Sequence, residues 1–254
     1  MRSVALSSVV LSVVLACLPA WGQTPNPVTV INYAGYTATF PVAPGSIASA
    51  YGDFGNIPVT QLESLNPMPK QLAGVKLRIG GVEAPLYFVS RSQINFVVPV
   101  ATASGKQTVE VLSGGAVVAK GSVNVYDFGP GLASSDNSAT RQGIIQNQDY
   151  SINGEQSRAR RGEIIQIYAT GCGATNPPVQ DGIPPAAPAP TVAKVQAYVS
   201  VVEAVVQYAG AHTLFPGICQ VNVQVPDQRF ITGQVPVFIT VNGIASNPVS
   251  VWIQ

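Results

Sequence analysis

The chain has 254 residues, of which 46% are hydrophobic and only 10% charged, against roughly 25% charged in an average soluble domain. Its 24 Gly and 21 Pro favour turns over long helices, which argues against a coiled coil, a helical bundle or a charged disordered tail. A formal charge of +1 and a single His leave no global field to recruit nucleic acid or an anionic membrane, and disfavour His-rich metal sites.

Met1 and Arg2 precede an uninterrupted apolar-and-serine stretch from Val4 to Leu18, broken by Pro19. Ala20-Trp21-Gly22 then places small residues at the −3 and −1 positions of a cut before Gln23, the pattern of a secretory signal peptide over 1–22. A retained membrane anchor is the competing reading, but the stretch is short for a span of about 20 residues. A third reading takes Val14-Leu15-Ala16-Cys17 as a lipobox with Cys17 lipidated. No later run approaches transmembrane length, so no span is expected after leader removal. Losing Arg2 leaves twelve basic and twelve acidic side chains. Export implies an oxidising compartment, where the two remaining cysteines, Cys172 and Cys219, are expected to pair. Two thiols without a nearby His cannot complete a tetrahedral zinc site.

The rest of the chain repeats itself. Gly45-Ser46-Ile47 through Tyr51 aligns with Gly162-Glu163-Ile164 through Tyr168 at an offset of 117, and Val82-Glu83-Ala84 with Val202-Glu203-Ala204 at 120. Gln93-Ile94-Asn95 through Pro99 aligns with Gln220-Val221-Asn222 through Pro226 at 127, and Val109-Glu110-Val111 with Val237-Phe238-Ile239 at 128. The step between the second and third matches places an extra loop around Gly210–Gly217. Within each copy the apolar period is two. Val109 and Val111, then Ser113-Gly114-Gly115, then Val123 and Val125 form one hairpin pattern; Val237, Ile239 and Val241, then Asn242-Gly243, then Val249, Val251 and Ile253 form another. The reading is all-β: two tandem immunoglobulin-like antiparallel β-sandwiches, at 29–126 and 127–254.

Two stretches interrupt this pattern. Asp127–Arg161 is polar, holds the junction and carries one strand at Gly143–Gln146. Ala174–Thr191 carries six prolines and is expected to be extended without a regular ladder, either as a stiff crossover shielding a sheet edge or as a polyproline recognition segment.

The segments Pro41-Val42-Ala43-Pro44-Gly45, Ala84-Pro85-Leu86-Tyr87-Phe88-Val89-Ser90, Gln93-Ile94-Asn95-Phe96, Ile144-Ile145-Gln146-Asn147-Gln148-Asp149, Tyr168-Ala169-Thr170-Gly171 and Gln220-Val221-Asn222-Val223 resemble the Solibacter uncharacterised C-terminal domain family of exported acidobacterial proteins. The resemblance covers about residues 29–254. It implies exported immunoglobulin-like domains akin to IPT/TIG modules, and supplies neither an activity nor catalytic residues. The chain departs from that pattern at Cys172 and Cys219, where the family has Leu and an aromatic residue.

Candidate chemistry is sparse. His212 in the inserted loop would need a nucleophile and an orienting carboxylate to act as a base; an exposed loop histidine is the plainer reading. Glu83 and Glu203 occupy equivalent places in the two copies, which duplication explains without catalysis. No metal site or cofactor is expected, and calcium could be held only by ligands from separate loops. Tyr126 and Trp252, at equivalent final-strand positions, and Tyr208 form the candidate ligand platform, with packing against a neighbour as the competing role for Tyr126 and Trp252. The expected function is non-catalytic adhesion or assembly at the bacterial surface, with a surface protein or an extracellular polysaccharide as partner. A carbohydrate-binding module using exposed aromatics and an extracellular hydrolase using His212 are the alternatives.

Overall fold

The computed structural model describes residues 24–35, 40–136 and 141–254; the leader, with Cys17, lies outside them. The described residues contain strands and turns and no helix. The fold is all-β, as the period-two patterns require.

The first half supplies β1 (Asn26–Asn32), β2 (Ile47–Gly52), β3 (Thr60–Gln61), β4 (Val75–Ile79), β5 (Val82–Glu83), β6 (Leu86–Val89), β7 (Gln93–Val97), β8 (Gly105–Ser113) and β9 (Ala116–Val125). They form one sheet in the order β3-β6-β7-β2-β1-β9-β8-β4-β5. The strand β1 pairs antiparallel with β2 and parallel with β9, so it passes from one layer to the other. Ala48, Ala50, Ile94 and Phe96 of one layer and Leu77, Ile79, Val109 and Val111 of the other share one core cluster.

The second half supplies β10 (Gly131–Leu132), β11 (Ile145–Gln146), β12 (Ile164–Thr170), β13 (Ala189–Pro190), β14 (Val195–Val199), β15 (Val202–Ala204), β16 (Val206–Ala211), β17 (Cys219–Gln224), β18 (Gly233–Val241), β19 (Ile244–Ala245) and β20 (Val249–Ile253). One sheet runs β10-β12-β17-β16-β13, with β11 also on β12; the other runs β15-β14-β18-β19, with β20 on β18. Alternate residues Ile165, Ile167, Val221 and Val223 meet Val237, Ile239, Val251 and Ile253 in a second core.

The duplication is a duplication of strand pairing. The order β3-β6-β7-β2 recurs as β13-β16-β17-β12, and β8-β4-β5 recurs as β18-β14-β15. The role of β1 falls to the segment 131–159, which pairs antiparallel with β12 through β10 and β11 and bridges in parallel to Ser250 and Ile253 of β20. The turns agree with their sequences: Gly114 and Gly115, and Asn242 and Gly243, all have positive φ, as a type I′ hairpin turn requires.

Three expectations need correction. The Asn242-Gly243 turn joins β18 to the short β19, and β20 begins only after a break at Ser246-Asn247-Pro248. Pro248 has no amide hydrogen to continue a ladder, while the Asn247 side chain both accepts from Leu132 N (2.9 Å) and donates to Leu132 O (3.0 Å). Second, Gly105 pairs with Val125 and Gly233 with Ile253, so the counterpart of Trp252 is Asn124; Tyr126 lies beyond the end of β9. Third, the proline-rich stretch is not wholly without a ladder: Ala189 and Pro190 pair with Ala211 and Gly210 as the edge strand β13. A proline is tolerated at a sheet edge because its missing donor faces outward.

That proline-rich stretch also straps the halves together. Asp181 accepts a hydrogen bond from Val100 N at 2.8 Å, and Gly182 O from Met68 N at 2.9 Å. Ile47, Met68 and Val97 of the first half pack in a small separate cluster with Ile218 of the second.

Candidate functional site

Of the sequence-derived site residues, Cys172 and Cys219 are joined as expected, while Tyr126, Tyr208 and Trp252 lie on different segments. Cys172, just after β12, and Cys219, at the start of β17, form a disulfide with Cα atoms 6.2 Å apart. They flank paired strands, and both are buried in the second core. The disulfide lines a cleft of about 530 Å³ between the halves, together with Thr102, Phe128, Val179 and Ile218. Asp127 beside this cleft accepts a hydrogen bond from the Ser104 hydroxyl.

Glu83 and Glu203 sit in equivalent hairpins of separate sheets. Glu83 accepts from Lys76 (3.0 Å) and Arg78 (3.2 Å), which hold its carboxyl below the usual range. Glu203 accepts from Gln196 Nε2 at 2.7 Å. Each closes a local hairpin contact, and the two do not form a pair.

His212 is buried, at 8% exposure, contrary to the exposed loop expected of it. Its Nδ1 accepts from Leu214 N at 3.0 Å and Phe215 N at 3.3 Å, so the ring caps the turn of its own loop. Its ring meets Tyr168 edge-on at 5.5 Å and Phe215 at 5.0 Å. Burial pushes its pKa below the ordinary value. Neutral imidazole is what this position needs, because only an unprotonated Nδ1 can accept.

Of the three platform aromatics, Tyr126 is 52% exposed beside a shallow groove shared with Phe128 and Ile244. Trp252 is half-buried, with the Arg158 guanidinium 4.9 Å from its ring centre. Its backbone is fixed by Asn153, which accepts from Trp252 N (2.7 Å) and donates to Trp252 O (2.9 Å). Tyr208 stands on β16, in the other sheet of that half.

Sequence reasoning missed the surroundings of Tyr208. Gln146 on β11 is opposite Gln166 on β12, Gln166 is opposite Asn222 on β17, and Asn222 is opposite Tyr208 on β16. The next row is Tyr168, Gln220 and Gly210. All face away from the core, whose side is taken by Ile145, Ile165, Ile167, Val221 and Val223. Gln220 Nε2 donates to Gln166 Oε1 (3.0 Å) and Asn222 Oδ1 (2.9 Å), and the Tyr168 hydroxyl donates to Gln146. Gly210 allows the Tyr208 ring to lie along the strand: a Cβ there would fall 2.2 Å from the tyrosine hydroxyl.

The Gln-x-Asn motif explains part of this network and was visible in both copies. In the first, the part-buried Gln93 donates from Nε2 to Asn95 Oδ1 at 2.8 Å, and Asn95 also accepts from Ser49 (2.8 Å), with Asn95 and Ser49 buried. In the second, Gln166, Gln220, Asn222, Tyr168 and Tyr208 are all partly exposed. The copies differ at Ser49 and Asn95, buried where Gln166 and Asn222 are partly exposed, whereas Gln93 resembles Gln220 and Tyr51 is more exposed than Tyr168.

Fold and site thus define an all-β, disulfide-bonded protein with an open, uncharged carboxamide-and-tyrosine sheet face. Among the described residues, no helix is long and apolar enough to cross a membrane. No family model and no curated protein matches the chain. Solved structures similar to it include a surface glycan-binding protein from a Bacteroides ovatus mixed-linkage glucan utilization locus, in complex with a mixed-linkage heptasaccharide (11% identity, 84% of this chain and 42% of that one, TM-score 0.36). An auxiliary nutrient binding protein from Bacteroides ovatus (13%, 59% and 36%, TM-score 0.27) and a beta-glycosidase from Bacteroides vulgatus (15%, 91% and 25%, TM-score 0.23) are also similar. The chain spans less than half of each of these proteins, and likeness at this level reflects β-rich architecture alone.

Proposed function

We propose that the protein is an exported, non-catalytic module that binds at the bacterial surface, in adhesion or assembly, through the open face of β11, β12, β17 and β16. The observation that carries this reading is a row of partly exposed carboxamide and tyrosine side chains on paired strands, Gln146, Gln166, Asn222 and Tyr208 with Gln220 and Tyr168 beside them, several hydrogen-bonded to one another. Side chains on paired strands are held more firmly than on loops, which suits a binding face. The disulfide supports export, because such bonds persist in oxidising compartments, and the resemblance to exported acidobacterial domains points the same way. Against the hydrolase alternative, His212 spends its Nδ1 on two backbone amides and Cys219 is consumed in the disulfide.

The test is a pull-down of surface and matrix material with the disulfide-intact mature protein, followed by mass spectrometry and sugar analysis. Retention of a defined surface component is the expected result. Recovery of none, or hydrolytic turnover lost in His212→Asn, which keeps an acceptor for the loop amides, overturns the proposal.

A further inference from the structure

Resting on that reading, we propose that the open face binds a neutral polysaccharide, laid across the strands along the row Gln146–Gln166–Asn222–Tyr208. The first argument is charge. The outward positions of the four strands are Gln146, then Ile164, Gln166, Tyr168 and Thr170, then Gln220, Asn222 and Gln224, then Tyr208 and Gly210. None is an acid or a base, so the face complements an uncharged, hydroxyl-rich ligand and offers nothing to a phosphate, a uronate or a basic peptide.

The second argument is which hydrogen-bonding atoms are already used. Gln220 donates inward to Gln166 and Asn222, and Gln146 receives the Tyr168 hydroxyl. These bonds engage the Oε1 of Gln166, the Oδ1 of Asn222 and the Oε1 of Gln146, and they fix the orientation of each amide. Among the described residues, the Nε2 of Gln166, Nδ2 of Asn222 and Nε2 of Gln146 donate to no protein group and are not buried, which leaves a row of available donors. Sugar hydroxyls are both donors and acceptors and can meet such a row, with each carboxamide held in place by its neighbour.

The third argument is shape. Four adjacent strands at about 4.8 Å span roughly 14 Å, room for roughly three sugar rings. At one end of the row the partly exposed Tyr208 side chain reaches along its strand to Gly210, where its ring can stack on the C–H face of a sugar. On the next row Tyr168 is braced by His212. Beyond it, Thr170 is buried and accepts from Ile47 N of the first half at 2.8 Å, so the first half bounds the face on that side.

Affinity electrophoresis of the disulfide-intact protein in gels containing hydroxyethyl cellulose, xyloglucan or galactomannan, with alginate as the anionic control, tests the proposal. At least one neutral polymer should retard the protein, alginate should not, and 0.5 M sodium chloride should leave the retardation unchanged. Tyr208→Ala and Gln166→Ala should each weaken binding at least tenfold with the thermal midpoint retained. Tyr208→Phe, which keeps the ring, should retain binding, and Trp252→Ala on the other sheet should leave it unaltered. Absence of retardation by every neutral polymer, retardation that ignores the face variants, or loss confined to Trp252→Ala overturns the inference. If the pull-down still recovers a surface protein while no neutral polymer binds, the ligand class is wrong and the surface-binding reading survives; if neither binds, both fail.

Discussion

The hydroxyl of Thr170 accepts a hydrogen bond from the amide of Ile47 at 2.8 Å, joining residues 123 positions apart and on opposite halves. The same hydroxyl donates to Gly217 O at 2.7 Å, and Thr170 is 1% exposed. Thr170→Val preserves the shape and leaves a buried N–H without its acceptor, a loss of about 1–3 kcal/mol. Urea unfolding should show that decrease, and Thr170→Ser should largely restore stability. An unchanged midpoint in the valine variant would remove this contact from the list of what holds the halves together.

Gly171, with φ of +73°, packs so closely that a Cβ would lie 1.9 Å from Gly129 O. Gly162 has a similar φ of +81° with nothing near a Cβ. Gly162→Ala should therefore cost only the left-handed strain, about 1–2 kcal/mol. Gly171→Ala must also displace backbone at the junction and should be the more destabilising of the two. Thermal melts of both variants decide this; equal effects would mean that strain alone governs the site.

The Cys172–Cys219 disulfide closes a sequence separation of 47 residues, for which chain entropy gives about 4 kcal/mol. Replacing both cysteines by alanine should lower the midpoint by about 8–16 °C for a protein of this size. Free-thiol labelling of the exported, unreduced protein should modify neither cysteine. Two reactive thiols would refute the pairing.

His212 sets a pH dependence whose sign follows from burial. Its folded pKa is depressed below the ordinary 6.5, so above pH 6.5 both states are neutral and the group contributes no slope. Below pH 6.5 the unfolded chain takes up the proton first, and stability falls with pH until the folded pKa is passed. Protonation also removes the acceptor for the Leu214 and Phe215 amides. Urea midpoints should decline from pH 7 to pH 5 in the wild type, and His212→Asn should lack this component of the decline. Equal slopes would show that His212 is not the titrating group.

Much of the fold was legible from residues i, i+2 and i+4. Ile165 and Ile167, or Val237, Ile239 and Val241, had to face one core, because a strand alternates its side chains. The Gly114-Gly115 and Asn242-Gly243 turns were equally legible, since positive φ restricts the residue types. The offset drift located the inserted loop, yet it could not show that this loop folds inward around His212. That outcome depends on Tyr168 and Phe215 being near enough to cover the imidazole.

By itself, then, the sequence determined strand periodicity, turn chemistry, the duplication and the two cysteines available to pair, because each depends on local stereochemistry or on composition. Tertiary structure decided register and what covers each face. A shift in counting matched Trp252 with Tyr126, whereas pairing from Gly105 and Gly233 matches it with Asn124. The same Gln-x-Asn spacing put a buried Asn95 beside Ser49 in one half and a partly exposed Asn222 opposite Tyr208 in the other. The motif is local, but its exposure depends on which distant segments pack above it, and those contacts are made between residues far apart in the chain.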